Sequence, residues 1–241
     1  MLDFNPANCA SDTVNIHMNQ LLDAAALAEQ REERRTYLGA SGIGSECLRK
    51  VQFDWQRDSI HAARTKRIFS RGHMFEEISA KALAQAGFRI ERGTPATYFS
   101  AVNDTFKGHA DGILVAGPTI PDLLYPALWE HKALGASGWK KIEKCGLKVA
   151  YPVYYDQCQL YMAYLGLDAN PALFSAVNAD TCHMLHVLVP FDAEAAQAAS
   201  DRAVAVIKAT QSGEMLNRIA NKPDDWRCKM CSHHEFCWQS N

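Results

Sequence analysis

Gly108-His109-Ala110-Asp111-Gly112 and, further on, Glu130-His131-Lys132 are the stretches on which the reading of this chain turns. Phe106 to Val115 is mostly apolar and is bounded by Asn103-Asp104 and Gly117-Pro118; Leu128 to Leu134 is a second short apolar run after Pro126. Gly, Pro and Asp lie between them, so the pattern predicts two strands, joined as a hairpin or lying as neighbours. Strand side chains alternate, which puts Glu130 and Lys132 on one face and His131 on the other. If Asp111 joins that face, two carboxylates and an ammonium meet. Two oxygen ligands suit a hard divalent cation such as magnesium. A lysine beside such an ion can hold or deprotonate a water, or neutralise charge on a phosphate. These are the parts needed to cut a phosphodiester. Glu-x-Lys alone is a common pattern, ordinarily a solvated strand face, so the reading depends on what accompanies it.

Composition narrows the class. A chain of 241 residues, 48% hydrophobic and 22% charged, has the make-up of one globular domain (1–241) with a large core. No apolar run reaches membrane-spanning length, so no membrane partner is expected. Met1-Leu2-Asp3-Phe4-Asn5-Pro6 lacks the basic and apolar regions of a signal peptide. A cytoplasmic, reducing location is therefore expected, with the eight cysteines as thiols or metal ligands rather than disulfides. A net charge of −2 excludes a polycation, so any nucleic-acid contact has to come from local basic patches.

Along the chain, residues 12–37 read as a helix with a loose apolar side (Ile16, Leu21, Leu22, Ala25, Leu27) and a mixed-sign run, Glu29 to Arg35, at its end. A small-residue loop, Leu38 to Ser45, leads into a helix from Glu46 to Gln56. Its glycines do not form a phosphate-cradling loop, because no Gly-Lys-Ser/Thr follows. Arg49, Lys50, Arg57, Arg64, Lys66, Arg67 and Arg71 make the most basic window, a candidate phosphate contact or a solvated surface. A helix is predicted from Ser70 to Ala86 with Gly87 as its stop, and Glu76 lies near its apolar face. Short strands are predicted at Phe88 to Arg92 and at Thr97 to Ser100. Lys140, Lys141, Lys144 and Lys148 form a second basic window downstream of Lys132. Pro152 opens a helix to Gly166 that carries Tyr154, Gln157 and Tyr161 on one face. Cys182 to Phe191 reads as a strand, and Ala193 to Gly213 as a helix with Ala196, Ala199, Ala203, Val206 and Ile207 inward.

Near the end stands Cys228-x2-Cys231-x5-Cys237. Three thiols so close together in a reducing setting point to metal. A fourth ligand is needed, and His233, His234 and the distant Cys47 are the candidates. Cys47 would tie the N-terminal part of the chain to its C-terminal tail.

The ordered set Cys47, Gly72-x3-Glu76, Gly108-x2-Asp111, Glu130-x-Lys132, Gln157-x3-Tyr161, Cys228, Cys231 and Cys237 resembles the PD-(D/E)xK nuclease superfamily. More narrowly, it looks like the RecB-like branch, which includes the AddB nuclease domain, the CRISPR-associated RecB-like exonucleases and the lambda-type exonucleases. The resemblance spans about Ser41 to Cys237. It implies an α/β fold with a central mixed sheet flanked by helices. It implies a Mg2+- or Mn2+-dependent deoxyribonuclease, an exonuclease before an endonuclease. It makes Glu76, Asp111 and Glu130 metal ligands, Lys132 the residue that handles the attacking water, and Gln157 and Tyr161 the helix residues that order the site. It makes Cys47, Cys228, Cys231 and Cys237 ligands of a structural 4Fe–4S cluster, with Zn2+ and a histidine as the alternative. DNA, single-stranded or at duplex ends, is the implied substrate, with Arg64, Lys66, Arg67, Arg71, Lys140, Lys141 and Tyr154 as candidate contacts. The chain lacks a helicase motif, so unwinding falls to a helicase or recombination partner. Ala110 stands where the motif has proline. Glu76 leans toward the lambda-type pattern and the cysteines toward the AddB and CRISPR-associated one. A binding module that docks DNA without cutting it is the competing reading. Ring-shaped oligomers occur among lambda-type relatives, and nothing in this sequence selects one.

Overall fold

A computed structural model describes residues 11–28, 35–57 and 61–239. The elements in chain order are α1 (Ser11–Ala28), β1 (Leu38–Gly39), α2 (Leu48–Gln56), α3 (Ala63–Gln85), β2 (Arg89–Glu91), β3 (Tyr98–Ala101), β4 (Phe106–His109), β5 (Gly112–Ala116), β6 (Ala127–Leu134), α4 (Ala136–Cys145), α5 (Leu147–Ala150), α6 (Pro152–Leu165), β7 (Ala172–Asn178), β8 (Met184–Val189), α7 (Ala193–Ser212), α8 (Trp226–Lys229) and α9 (His234–Gln239). The strands form two mixed sheets. The larger has the order β2-β5-β6-β7-β8 and the smaller β1-β4-β3. In the larger sheet only β6 and β7 run parallel; the other pairs are antiparallel.

Helices cover both faces of the larger sheet. On one face Leu128, Phe174 and Ala176 pack against Leu160 of α6 and Val206 and Ile207 of α7. On the other, Leu114, Trp129 and Leu173 pack under Ala80 and Leu83 of α3. All apolar positions predicted inward on α7 are buried. Asp192 caps that helix by accepting from Ala195 N–H at 3.0 Å, and Gly213, at φ +76°, ends it in the left-handed conformation.

Several boundaries differ from expectation. The run Phe106 to Val115 is two strands: β4 belongs to the small sheet and β5 to the large one, and Ala110-Asp111 is the corner between them. Gly108 makes the approach to that corner possible, because a Cβ there would run into the rings of Phe99 and Tyr161. Strand β7 was not expected. All seven of its residues are buried, and a parallel strand buried on both faces shows no alternation to read. The first helix ends at Ala28 and residues 35–37 are not helical; the rest of the mixed-sign run lies outside the described residues. Helix α3 starts at Ala63 rather than Ser70, since no Gly or Pro interrupts the intervening turns, and it stops before Gly87 at φ +93°.

Helix α2 is tied to the segment that follows α7. Gln52 is buried, donates to the Glu214 carbonyl at 2.7 Å and accepts from Leu216 N–H at 3.0 Å. Arg49, also buried, donates to the Leu216 carbonyl.

Candidate active site

Strand β6 presents Glu130 and Lys132 toward α6, and His131 toward α3, as the alternation predicts. Strand β5 begins opposite Trp129, so the His131 N–H lies past the end of that ladder. Asp111 takes the place of the missing strand partner: its Oδ2 accepts from His131 N–H at 2.8 Å. The corner between the sheets thus carries its carboxylate to the edge of β6. Lys132 Nζ bonds Glu130 Oε1 and lies 3.7 Å from Asp111 Oδ2. From α6, Gln157 donates to Glu130 Oε1 at 2.6 Å. Tyr154 stacks under the lysine, its ring centroid 5.5 Å from Nζ, and Tyr161 is buried beside Phe99.

The electrostatics follow from burial. Two carboxylates and one ammonium leave one negative charge in excess. Glu130 is fully buried, and its pKa is pushed up to about 8 by desolvation and then by the charge of Asp111. Burial alone would lower Lys132, but Glu130 and Asp111 outweigh it and hold the amine protonated well above its usual range. In this arrangement Lys132 donates protons in hydrogen bonds and does not accept them. Burial and Glu130 also raise Tyr161, which stays a neutral phenol. Glu130 Oε2 is sealed from solvent and has no hydrogen-bond partner among the described residues. An orphaned carboxylate oxygen beside a second carboxylate is a donor set that a hard cation satisfies.

Glu76 stands on α3 across from Asp111. Its pKa is raised by burial and by the Asp111 charge, although Arg92 opposes both. Arg92 Nη2 meets Glu76 Oε1 at 2.5 Å, the same guanidinium bonds both oxygens of Glu77 at 2.8 and 2.9 Å, and its Nε donates to the Asp111 carbonyl at 3.0 Å. Arg92 thereby clamps α3 to the corner that carries Asp111. Nothing in the spacing of the sequence marks it. Among the described residues, no three His, Cys, Asp or Glu side chains close on a preformed ion site. Asp111 and Glu130 converge, and Glu76 is drawn toward Arg92.

Glu76, Asp111, Lys132, Tyr154, Gln157 and Tyr161 line a groove between the sheets and α3, with Glu130 buried beside Lys132. Its opposite wall carries Arg35, Tyr37, Lys107 and His109 from around the small sheet, and Ile68 and Phe69 from α3. Arg35 ends the mixed-sign run and Lys107 stands alone in sequence, and both reach the same groove. Of the basic residues singled out beforehand, Lys66 donates to the Ala26 carbonyl at 2.6 Å and Arg67 pairs with Asp23 at 2.7 Å, so both hold α1 on α3. Arg64 and Lys140 are exposed, Arg71 is half-buried, and Lys141 donates to the Ala150 carbonyl at 3.0 Å.

Cys47, Cys228, Cys231 and Cys237 line one cavity between α2 and the C-terminal tail. Arg49 Nη1 approaches Cys237 Sγ at 4.0 Å. Both histidines proposed as alternative ligands have a ring nitrogen engaged: His233 Nε2 with Asp54 at 2.8 Å, and His234 Nε2 with the Pro223 carbonyl at 3.0 Å. The four thiols share the cavity without closing to ligating separation. Cys145 and Cys182 are exposed and Cys158 is buried in the core.

No family model and no curated protein matches the chain by sequence. Solved structures do match its fold. An alkaline exonuclease (LHK-Exo) from Laribacter hongkongensis aligns with a TM-score of 0.52 at 16% identity, covering 80% of this chain and 93% of that one. The same exonuclease in complex with dAMP aligns with a TM-score of 0.51 at 16% identity and the same coverage. A structure titled SSO0001 aligns with a TM-score of 0.50 at 16% identity, covering 91% of this chain and 96% of that one. No helix among the described residues is long and apolar enough to cross a membrane. The chain has an α/β fold of two mixed sheets flanked by helices, and it shares that fold with an alkaline exonuclease.

Proposed function

We propose that this chain is a divalent-cation-dependent deoxyribonuclease that degrades DNA from its ends. The observation that carries the reading is the meeting of Asp111 and Lys132 in one groove with Glu130 buried against the lysine, its Oε2 without a partner among the described residues. Asp111 and Glu130 would hold Mg2+ or Mn2+, with Glu76 completing the set once released from Arg92. The bound ion supplies Lewis-acid polarisation of the scissile phosphate and a water of lowered pKa. Gln157 fixes the rotamer of Glu130 through Oε1, which leaves Oε2 for the cation. Lys132, protonated between the two carboxylates, orients the attacking water by hydrogen bonding and offsets charge on the phosphate. Tyr154 keeps that ammonium over its ring, and Tyr161 packs behind Gln157. Arg35 and Lys107, with Arg64, Arg71, Lys140 and Lys141 farther out, would track the DNA backbone, which makes binding sequence-independent and salt-sensitive.

The four cysteines extend the reading to the AddB-like and CRISPR-associated branch. They would hold a 4Fe–4S cluster that staples α2 to the tail; Zn2+ is the alternative occupant. The shared cavity supports this assignment, and His233 and His234 line the same cavity for the alternative. The whole chain would act as one nuclease unit in the cytoplasm, working on ends that a helicase or recombination partner exposes.

The test of end dependence is digestion of one plasmid as a covalently closed circle and after linearisation, with Mg2+ or Mn2+. The linear form should disappear while the circle survives. Equal loss of the circle would assign the site to an endonuclease, and binding of both forms without cutting would favour a DNA-docking module.

A further inference from the structure

The residue between the two catalytic side chains of β6 is out of keeping with its surroundings. The His131 ring lies 5.6 Å from that of Trp129, on the side of the sheet where Trp129 packs with Ala80, Leu114 and Leu173. Any apolar side chain would fill that space, and a buried imidazole is tolerated only when its polar atoms are bonded. Its Nε2 lies 2.9 Å from Ser79 Oγ, and the two residues are equally buried, each 4% exposed. Serine and histidine thus form a directional bond between α3 and β6.

The place of that bond matters for the site. Between Ala63 and its C-terminal end, α3 buries only Ser79 and Ala80. The turns before them overhang the sheet, with Phe69, Met74 and Ile78 exposed. Glu76 sits one turn before Ser79, at the edge of the overhang. On the strand side, the bond ends on the residue whose N–H holds Asp111 and whose neighbours are Glu130 and Lys132. One hydrogen bond therefore links the backbone that positions Glu76 to the backbone that positions the other carboxylates. Arg92 grips the side-chain end of Glu76, while Ser79 grips the helix beneath it.

We propose that Ser79 and His131 are positioning residues for cation binding: their hydrogen bond sets where Glu76 stands relative to Asp111 and Glu130. The inference rests on the nuclease reading above and adds that cation affinity depends on a bond on the far face of the sheet. A matched control lies in the same layer. Ser175 faces His131 across the β6–β7 ladder but bonds Trp129 Nε1 and His186 Nδ1, both at 2.9 Å, rather than a residue of α3.

The experiment is calorimetric titration of Mn2+ into wild type, Ser79→Ala, Ser79→Cys and Ser175→Ala, with the Mn2+ dependence of cleavage measured on the same proteins. Ser79→Ala should raise both the Mn2+ dissociation constant and the half-saturating Mn2+ concentration about fivefold, the worth of one lost hydrogen bond, with kcat at saturating Mn2+ nearly unchanged. Ser175→Ala should lower the melting temperature and leave Mn2+ affinity as in wild type. If Ser79→Ala does not fold, the near-isosteric Ser79→Cys carries the test with the same expected direction. Wild-type Mn2+ affinity in the folded Ser79 variants, or an equal loss in Ser175→Ala, would overturn the proposal and reduce the bond to general packing. A wild type that binds no Mn2+ would instead sink the nuclease reading, and this inference with it.

Discussion

A carboxylate sealed in a protein interior has few ways to lose its charge, and at Glu130 a proton and a divalent ion compete for the same oxygen. The folded pKa is raised to about 8 by burial and by Asp111, so below that value the cation has to displace a proton. Mn2+ affinity should rise by up to about tenfold per pH unit on approaching pH 8 from below and level off above it. Titrations by calorimetry across that interval check this, and Glu130→Gln should abolish the slope. A pH-independent affinity would mean that Glu130 is ionised throughout or takes no part. At this scale the convergence of Asp111, Glu130, Lys132 and Gln157 was legible, because strand alternation and helix spacing place them on facing surfaces. Arg92, Arg35, Lys107 and Ser79 were not. Each is a single polar residue whose role comes from a partner far away in the chain, and no local pattern announces it.

At the scale of elements, the site depends on a chain that changes sheets. The sequence pattern marks Phe106 to Val115 as one extended run, and the corner at Ala110-Asp111 comes only from which strands its two halves pair with. The corner is what delivers Asp111 to the end of the β5–β6 ladder. Gly108 permits it by letting β4 pass close to Phe99 and Tyr161. Gly108→Ala should destabilise the protein by about 1–3 kcal/mol, the usual cost of forcing extra volume into a packed core. Because Tyr161 lies on the helix that presents Gln157, activity should fall further than the lost stability alone accounts for. Urea unfolding together with turnover under fully folded conditions separates the two effects, and unchanged stability would show that the rings yield without cost. Strand β7 escaped detection for a related reason. It lies between β6 and β8 in the large sheet with every residue buried, and period-two alternation exists only where one face meets water.

The whole molecule is closed by α2, whose Arg49 and Gln52 bond the chain around Leu216 and whose leading residue, Cys47, faces the C-terminal cysteines. The cysteine spacing was visible in sequence; that the four thiols share one cavity depends on this docking of helix to tail. If the cavity holds an iron–sulfur cluster, anaerobically purified protein should be brown, and Cys47→Ser should lose both the visible absorption and the bound iron while unfolding at lower temperature. A Cys47→Ser protein with full metal content would remove Cys47 from the ligand set, and a colourless wild type with stoichiometric zinc would replace the cluster by zinc. The α/β architecture of mixed sheet flanked by helices was implied by the resemblance of the motif set and agrees with the structure, which divides the strands between two sheets. The sheet order did not follow, because it depends on pairings between segments far apart in the chain.

The central claim is that Asp111, Glu130 and Lys132 form a phosphodiester-cutting site. Its most direct test is release of label from linear DNA marked at the 5′ or the 3′ end, with Mg2+ or Mn2+, by wild type and Lys132→Ala side by side. Wild type should release label from one end first, and the variant should bind the same DNA and release none. Equal release by both proteins, or binding without release by both, would contradict the claim.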